Sequence, residues 1–314
     1  MTAPTLTIVP ATGPALPLVV NLVPQVVQVT ERATATIVLS LMVEPGILGL
    51  DIPTPAFTTV PVSGGNGDDL LATRYEPRDV AIPILVETDD MRHAVRAIAH
   101  RLNLRDGDLS ITLRYPDGDV RTLNHVRYVG GLEGDESADS AGAAPSAGDL
   151  AWRRLVLSFR ALDPYWYGAP AAYIANASAA LAWSAAGVAW SAAGQPWSGT
   201  SGVTGVPVTV FVGGDADALP VGTIHGPGSF VITHVPTGAQ WISARALTAS
   251  EVVTIDTDAG VVYVNGVRDW SVLSAASTLW RLAKGDNPVT FTMSGATTTA
   301  SSVTLTWSER WLTA

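Results

Sequence analysis

Among the residues of this sequence, pairs of aspartates are the best candidates for catalytic side chains. Asp215 and Asp217 flank one predicted turn, and Asp256 and Asp258 bracket another. A glycoside hydrolase needs two carboxyl groups at a fixed separation. Aspartate is equally a turn residue, because its side chain accepts hydrogen bonds from nearby backbone N–H groups. We favour the turn interpretation here and keep a glycan-degrading enzyme as an alternative.

Other catalytic constellations are missing from the sequence. Its 314 residues include no cysteine, which excludes thiolate nucleophiles, thiolate metal sites and disulfides. No GxSxG or HExxH motif occurs, and the five histidines are dispersed. The glycine cluster at 63–69 has neither the Walker lysine nor GxGxxG spacing, and therefore predicts a loop. We predict no catalytic residue, no metal ligand and no cofactor, and hence that the protein is not an enzyme.

Composition favours a mainly β protein with two domains. The hydrophobic fraction of 47% is ample for cores, and 314 residues exceed a typical single domain. A net charge of −10 argues against a protein that holds nucleic acid by neutralising phosphates. Half of that charge lies in Gly130–Leu150, which predicts a mobile loop, with a calcium site as the alternative. The apolar N-terminal residues are broken by prolines, so we expect no membrane insertion.

The first part of the chain predicts an arm, a strand pair and a helix. Residues 1–17 form a proline-punctuated, extended arm by composition. Two apolar runs follow, Leu18–Val29 and Ala35–Val43, and predict paired strands. Apolar residues recur at helical spacing over 88–102, which predicts the one clear helix, with Thr88 as its N-cap.

Ala151–Gly168 is the segment around which we expect the first domain to be organised. Leu155, Leu157 and Phe159 alternate with polar residues, which predicts a half-buried strand. A proline at position 164 ends that strand, because proline has no N–H for a ladder. Three adjacent aromatics follow at once, and we expect at least one to pack on another element, domain or chain. We hypothesise that they wedge between domains or protomers.

Residues 169–205 contain an internal repeat of Trp-Ser-Ala-Ala-Gly with a period of seven. The repeat places tryptophans at Trp183, Trp190 and Trp197. Evenly spaced aromatic faces are suited to stacking on sugar rings, so a glycan or docking platform is one interpretation. We favour an ordered linker whose rings pack along a neighbouring sheet, because tryptophan is costly to leave in water.

Residues 206–314 predict a second all-β domain. Nine short strand candidates are separated by Gly, Pro, Asp and Asn, a pattern typical of a β-sandwich or jelly roll. Asn265-Gly266 is a strong hairpin signal between two of them. Four tryptophans in or beside these strands are predicted to be core residues: Trp241, Trp270, Trp280 and Trp307.

The order of these parts resembles siphovirus distal tail proteins, the Dit family. In the first domain the shared parts are the glycine loop, Arg78 at the start of a strand, the helix and a Pro-Asp-Gly hairpin between 108–115 and 120–128. The closing strand carries the family signature: Asp163, Pro164, Tyr165, Trp166, Tyr167 and Gly168. In the second domain, Thr254–Thr257, the aromatic strand before Asn265-Gly266 and the Gly285–Asn287 turn are similar to the family's galectin-like domain.

The resemblance implies three parts: a ring-forming belt domain over 1–168 with an N-terminal arm and a β-sandwich-like fold, a linker over 169–205, and a galectin-like β-sandwich over 206–314. It implies a structural virion protein of a long non-contractile tail. Copies would form a homo-oligomeric ring, in the family usually a hexamer, which joins the tail tube protein to the tail-tip hub or baseplate proteins.

DNA would cross this ring without specific binding. The location implied is the tail tip of the virion, after assembly in the cytoplasm of the bacterial host. A carbohydrate-binding protein of the tail tip, which adheres to glycans of the host wall, is the alternative function.

Overall fold

The computed structural model describes residues 5–9, 16–19, 25–31, 35–44, 46–63, 65–88, 91–103, 107–115, 117–132, 141–142, 151–176, 178–179, 201–202, 207–296 and 300–314. Over these residues the protein is mainly β with a single helix, as the sequence predicts. It divides into two compact units. Unit 1 comprises Met1–Ala169 and Trp311–Ala314, and unit 2 comprises Pro170–Arg310.

Unit 1 is built on one antiparallel sheet with the strand order β3-β4-β7-β11-β9-β8-β1-β2. A short strand, β10, pairs with β11, and β5 and β6 form a separate two-stranded sheet. The elements are β1 (Thr5–Val9), β2 (Leu16–Val19), β3 (Gln25–Glu31), β4 (Ala35–Val43), β5 (Pro55–Pro61), β6 (Asp68–Tyr75), β7 (Arg78–Thr88), α1 (Met91–Arg101), β8 (Leu109–Arg114), β9 (Val120–Gly130), β10 (Ala141–Gly142), β11 (Ala151–Ala161) and the start of β12 (Trp166–Asn176).

The core of unit 1 follows from the alternation in β7 and β11. These strands pair over their whole lengths, from Ala151 opposite Thr88 to Ala161 opposite Arg78. Every second side chain of each is buried, so one face of the pair is apolar. Helix α1 packs against β4, β7 and β11 and buries Ala94, Ala97 and Ile98.

Two local predictions for unit 1 need correction. Thr5–Val9 of the expected arm is β1, which pairs with β8 and buries Ile8 in the core. The apolar run Leu18–Val29 contains parts of two strands, β2 and β3. Thr88 is the buried last residue of β7, and its predicted role as N-cap depends on residues 89 and 90, which lie outside the described residues. The predicted hairpin around residues 116–119 is confirmed as β8 and β9.

Unit 2 contains two antiparallel sheets that share one apolar core. The first has the strand order β21-β20-β19-β16-β23, and the second has the order β15-β22-β17-β18. The elements that follow β12 are β13 (Ser178–Ala179), β14 (Ser201–Gly202), β15 (Pro207–Val212), β16 (Val221–His225), β17 (Ser229–His234), β18 (Ala239–Ile242), β19 (Val252–Asp256), β20 (Val261–Val264), β21 (Val267–Arg268), β22 (Gly285–Ser294) and β23 (Ser302–Trp311).

Several strands of unit 2 differ from the prediction. β16 was missed because it is only five residues long and Gly222 interrupts its run of strand-forming residues. The predicted strands Ser271–Leu273 and Leu279–Leu282 contribute only isolated bridges. The expected linker begins as strand, since β12 continues to Asn176, and the four residues from Trp311 belong to unit 1 and not to the second domain.

Candidate functional site

Arg78 joins the signature segment to two other stretches of unit 1. Its side chain is 2% exposed, and every nitrogen donates to a backbone carbonyl. Nε donates to Pro164 at 2.9 Å, Nη1 to Gly49 at 2.7 Å and to Asp51, and Nη2 to Leu312 at 2.6 Å. Burial lowers the pKa of Arg78 to about 10, and the Asp51 carboxylate opposes that shift. Because a buried cation is tolerated only when its donors are satisfied, the four carbonyls have to stay in place.

Gly49 shows how the sequence places one of these carbonyls. Its φ is +85°, a conformation that side chains disfavour. A Cβ at this position would lie 2.0 Å from the carbonyl oxygen of Asp79, so only glycine fits. The preceding residue, Leu48, bridges to Ala81 of β7 through paired backbone hydrogen bonds. These hydrogen bonds fix the loop on β7, close to Arg78 at the start of the same strand.

The signature segment folds on the carboxylate of Asp163. Oδ1 accepts a hydrogen bond from the backbone N–H of Tyr165 at 3.2 Å, and Oδ2 accepts one from the Tyr167 hydroxyl. This local turn directs the Pro164 carbonyl towards Arg78. Trp166 begins β12, is fully buried in the core of unit 1, and lies under the Arg78 guanidinium at 5.8 Å.

The aromatic triplet is thus accommodated mostly inside unit 1. Trp166 is core, while Tyr165 and Tyr167 are half-buried. The Tyr165 ring meets the edge of Tyr75 at 6.2 Å, at the base of the β5–β6 hairpin. A wedge between domains or protomers stays a prediction, and it now concerns the two tyrosines only.

Residues 311–314, which we call the docked segment, complete the Arg78 site. The Trp311 ring lies 4.0 Å from the guanidinium carbon of Arg121, a cation–π contact. The backbone N–H of Ala314 donates to the Leu50 carbonyl at 3.0 Å. With the bond from Arg78 to Leu312, three contacts hold this segment on unit 1.

In unit 2 the corresponding buried polar group is Asn287, beside the turn at Ala283 that leads into β22; Gly285–Asn287, predicted as a turn, are the first residues of that strand. Its Nδ2 donates to the carbonyls of Ala283 and Gly285, and its Oδ1 accepts from the Ala283 N–H at 2.8 Å. Oδ1 also lies 3.2 Å from Nε2 of buried His234, which the amide orientation makes the donor. The His234 ring stacks on Trp280 at 5.2 Å. This turn therefore positions the aromatic core of unit 2.

Three of the four tryptophans predicted as core in unit 2 are buried, namely Trp241, Trp280 and Trp307. The first two stack at 4.5 Å. The prediction was wrong for Trp270, whose side chain is 43% exposed. Trp270 follows Asp269, which accepts hydrogen bonds from the N–H and hydroxyl of Ser271, so a tight turn holds the indole outside the core.

Trp270 lines an open pocket of about 250 Å³. Its walls are the indole, two leucines, an alanine and two serines: Trp270, Leu273, Ser274, Ala275, Ser277 and Leu279. The Ser277 hydroxyl already bonds both the N–H and the carbonyl of Ile242, whereas Ser274 only accepts a long bond from Ala276. An aromatic face, apolar walls and one available hydroxyl suit a small amphipathic ring as ligand.

The β5–β6 sheet, which we call the exposed hairpin, pairs with no other strand of the described chain. Its register puts Phe57 opposite Thr73 and Thr59 opposite Leu70, so these four residues share one face. A bulge leaves Leu71 beside them. Phe57, Leu70 and Leu71 are 62%, 59% and 64% exposed. A lone hairpin is marginally stable in water, and exposed apolar side chains of this size mark an interaction surface.

The remaining candidate residues divide into two groups. The carboxylates serve turns or ion pairs: Asp256 Oδ1 accepts the N–H groups of Asp258 and Ala259, and Asp215 lies 3.7 Å from Lys284 Nζ. Trp183, Trp190 and Trp197 lie outside the described residues. Within the described ranges no three His, Asp or Glu side chains cluster as metal ligands. In that same part of the chain, no helix has the length and apolar character to cross a membrane.

Comparisons with known proteins agree with the predicted resemblance. Residues 213–311 match the family described as siphovirus-type tail component, C-terminal domain. The crystal structure of SPP1 Dit, described as a paradigm of the hub adsorption apparatus of phages infecting Gram-positive bacteria, is similar in fold with a TM-score of 0.56 and 14% identity. That match covers 87% of this chain and 99% of SPP1 Dit.

A chain of the phage P2 baseplate in its activated conformation is also similar, with a TM-score of 0.50, 8% identity and 98% of each chain covered. No curated protein sequence matches. The resemblance to distal tail proteins is confirmed, since residues 213–311 match the tail-component family and the fold is similar to that of SPP1 Dit.

Proposed function

We propose that this protein forms a homo-oligomeric ring at the tail tip of a siphovirus, where it joins the tail tube protein to the tail-tip hub around the DNA channel. The main support for this proposal is the fold, which matches SPP1 Dit over 99% of that protein's length. The family match to residues 213–311 supports the same assignment for unit 2. A hexamer, the usual state in the family, is the stoichiometry we expect.

The surface of unit 1 supports assembly. It exposes large apolar side chains on the exposed hairpin and, separately, on the outer face of the β7–β11 pair, where Val156 is solvent-accessible. Around Val156 lie two ion pairs, Arg154–Glu44 and Arg160–Asp79, each at 2.8 Å. An apolar centre inside a polar rim is the usual anatomy of a protein interface. Two unlike surfaces are what a ring contact requires, since head-to-tail packing uses a different patch on each side.

The test is microscopy of the purified full chain by negative stain, with mass measured by light scattering over a concentration series. We expect closed rings with a central hole and a mass that is an integral multiple of 32.7 kDa. A chain that stays monomeric at the highest attainable concentration, and that antibodies fail to find at the tail tip of virions, contradicts the proposal.

Saccharide binding is a second candidate, favoured by the pocket beside Trp270. The pocket is large enough for about one sugar ring, and its volume lies just below the usual range of ligand sites. An indole face packs against the C–H groups of a pyranose, and the Ser274 hydroxyl is placed to bond a ring substituent. Through this site, unit 2 would contact glycans of the host wall.

A glycan array with the full chain tests this candidate. We expect binding that the Trp270→Ala variant loses, while Val267→Ala, at another exposed position of unit 2, retains it. Equal binding by wild type and Trp270→Ala, or no binding by either, removes the pocket from consideration and leaves the ring proposal unaffected.

A further inference from the structure

The exposed hairpin has an acidic tip. Asp68 and Asp69 open β6 after the turn at 62–67, and both are exposed. Asp68 lies opposite Pro61 and so shares the face of Phe57 and Leu70. Its Oδ2 accepts a bond from a threonine hydroxyl at 3.0 Å, and no described cation contacts either carboxylate. The tip therefore combines uncompensated negative charge with the apolar face of the hairpin.

Helix α1 carries the opposite charge. Arg92 and Arg96 form a cationic stripe, and His100 follows at the same spacing of four residues, which places the three side chains on one exposed face. No residue of Met91–Arg101 is acidic, and none of the three forms an ion pair with a described residue. Like charges four residues apart destabilise a helix, so the stripe is a feature that folding of the helix does not explain.

The charge of the whole chain makes this stripe significant for assembly. Each copy carries a net charge of −10, so two copies repel unless a cationic surface of one meets an acidic surface of the other. Most described arginines are already engaged, either in ion pairs or, like Arg78, with carbonyls. The stripe on α1 is the place in the described chain where two unpaired arginines lie side by side on one element.

We propose that the exposed hairpin of one copy packs on α1 of the neighbouring copy, with Asp68 facing Arg92 and Arg96 and with Asp69 beside it on the opposite face of the acidic tip. The same contact covers the apolar face of the hairpin, and Ala99 lies exposed beside the stripe to receive it. The contact is head-to-tail, because it uses two different surfaces of unit 1, and repetition around an axis closes a ring. This inference rests on the proposed ring and names the surface that builds it.

Charge exchange tests the contact in the full chain. We expect the Asp68→Arg, Asp69→Arg variant and the Arg92→Glu, Arg96→Glu variant each to raise the concentration needed for assembly at least about tenfold, because like charges then face each other. The variant with all four substitutions regains wild-type assembly. Arg114→Glu, which reverses an exposed cation on β8, assembles normally. Circular dichroism confirms that each variant is folded.

Introduced cysteines give a second measurement that does not depend on stability. The chain has no cysteine of its own, so Asp68→Cys and Arg96→Cys are the sole thiols when the two variants are mixed. We expect disulfide-linked dimers in the mixture under mild oxidation and far fewer in either variant alone.

Each outcome decides between the two proposals. If wild type forms rings but charge reversal leaves assembly intact, or the fourfold variant fails to recover and the mixed cysteine variants do not cross-link, the hairpin–helix contact is wrong and the ring stands. If wild type remains monomeric, the ring proposal fails and this contact fails with it.

Discussion

The two units each bury a hydrogen-bonding hub, but the hubs are connected very differently. Arg78 in unit 1 bonds carbonyls that lie 27, 29, 86 and 234 positions away in the chain. Asn287 in unit 2 bonds the backbone two and four residues away, and only His234 is remote. The first hub holds distant stretches together, whereas the second shapes one turn.

This difference predicts how far the loss of each side chain destabilises its unit. Loss of Arg78 leaves four carbonyls of separate segments without their donor, so those segments lose their common attachment. Loss of Asn287 leaves one turn and one histidine unsatisfied, while both sheets of unit 2 retain their ladders. Unit 1 is thus expected to respond globally and unit 2 locally.

The largest expected effect is that of Arg78→Met. Because it removes the donor of four backbone carbonyls in three stretches, we expect unit 1 to lose about 4 kcal/mol of stability, at the high end for one substitution. Hydrogen exchange followed by mass spectrometry should show reduced protection in the strands around residues 46–51, 78–88 and 151–169. Arg114→Met, at an exposed arginine of the same unit, is the control. Unchanged protection in Arg78→Met would show that the hydrogen bonds of Arg78 do not hold these segments of unit 1 together.

Asn287→Ala is expected to cost less, about 2 kcal/mol, since it orphans the N–H and carbonyl of Ala283, the Gly285 carbonyl and the His234 ring. Exchange should rise in residues 283–289 and in β17, with the other strands of unit 2 unaffected. Asp286→Ala, at the exposed neighbouring position, should leave exchange unchanged. Loss of protection throughout unit 2 would show that Asn287 stabilises its whole unit, as Arg78 is expected to do in unit 1.

The same contrast explains what could be predicted from sequence. The Gly285–Asn287 motif is visible because its hydrogen bonds are local, and the period of two in β11 is visible because a strand shows its buried face in its own residues. The partners of Arg78 come from three stretches that only the fold brings together. No pattern within 78–88 indicates that Leu312 accepts one of the bonds, so the second-domain boundary at 314 misplaced the docked segment.

Residue type predicted the burial of most tryptophans in unit 2 but not of each one. Trp241, Trp280 and Trp307 lie on inward-facing positions of the sandwich or pack against it, whereas the turn at Asp269 holds Trp270 outside. On α1 the apolar pattern includes Ile98, which is buried, whereas buried Ala94 and Ala97 carry little apolar signal, so the sequence predicted only part of the packed face of the helix. The exposed hairpin was missed because neighbouring apolar residues ordinarily indicate a buried strand.

The docked segment is expected to contribute a smaller part of the stability of unit 1. Trp311→Ala removes the ring from Arg121 and from the unit 1 core, with an expected loss of about 1–2 kcal/mol. A double-mutant cycle with Arg121→Ala should give a coupling of about 0.5–1 kcal/mol. Both are measured by denaturant unfolding of the full chain. Additive effects would mean that Trp311 acts through packing alone.

The smallest expected effect concerns pH, at an exposed local pair of unit 2. Arg245 donates two hydrogen bonds to Glu251, at 2.6 and 2.9 Å, and the Thr248 N–H adds a third at 2.7 Å. Arg245 first, and then Thr248, lower the pKa of Glu251 from 4.5 to about 2 in the folded protein. A carboxyl group whose folded pKa is depressed stabilises the fold above its unfolded pKa, and this contribution is lost as the pH falls from about 4.5 towards about 2.

Glu251→Gln removes that titration. We expect wild type to melt slightly higher than Glu251→Gln at pH 6, and the difference to shrink steadily through this acidic window. Added salt should reduce the difference at pH 6, because the pair is exposed and screened. Since the pair bridges only residues 245–251, exchange should change in that loop alone. A melting difference that persists at pH 2, or exchange that changes across unit 2, would show that Glu251 acts through something other than this local pair.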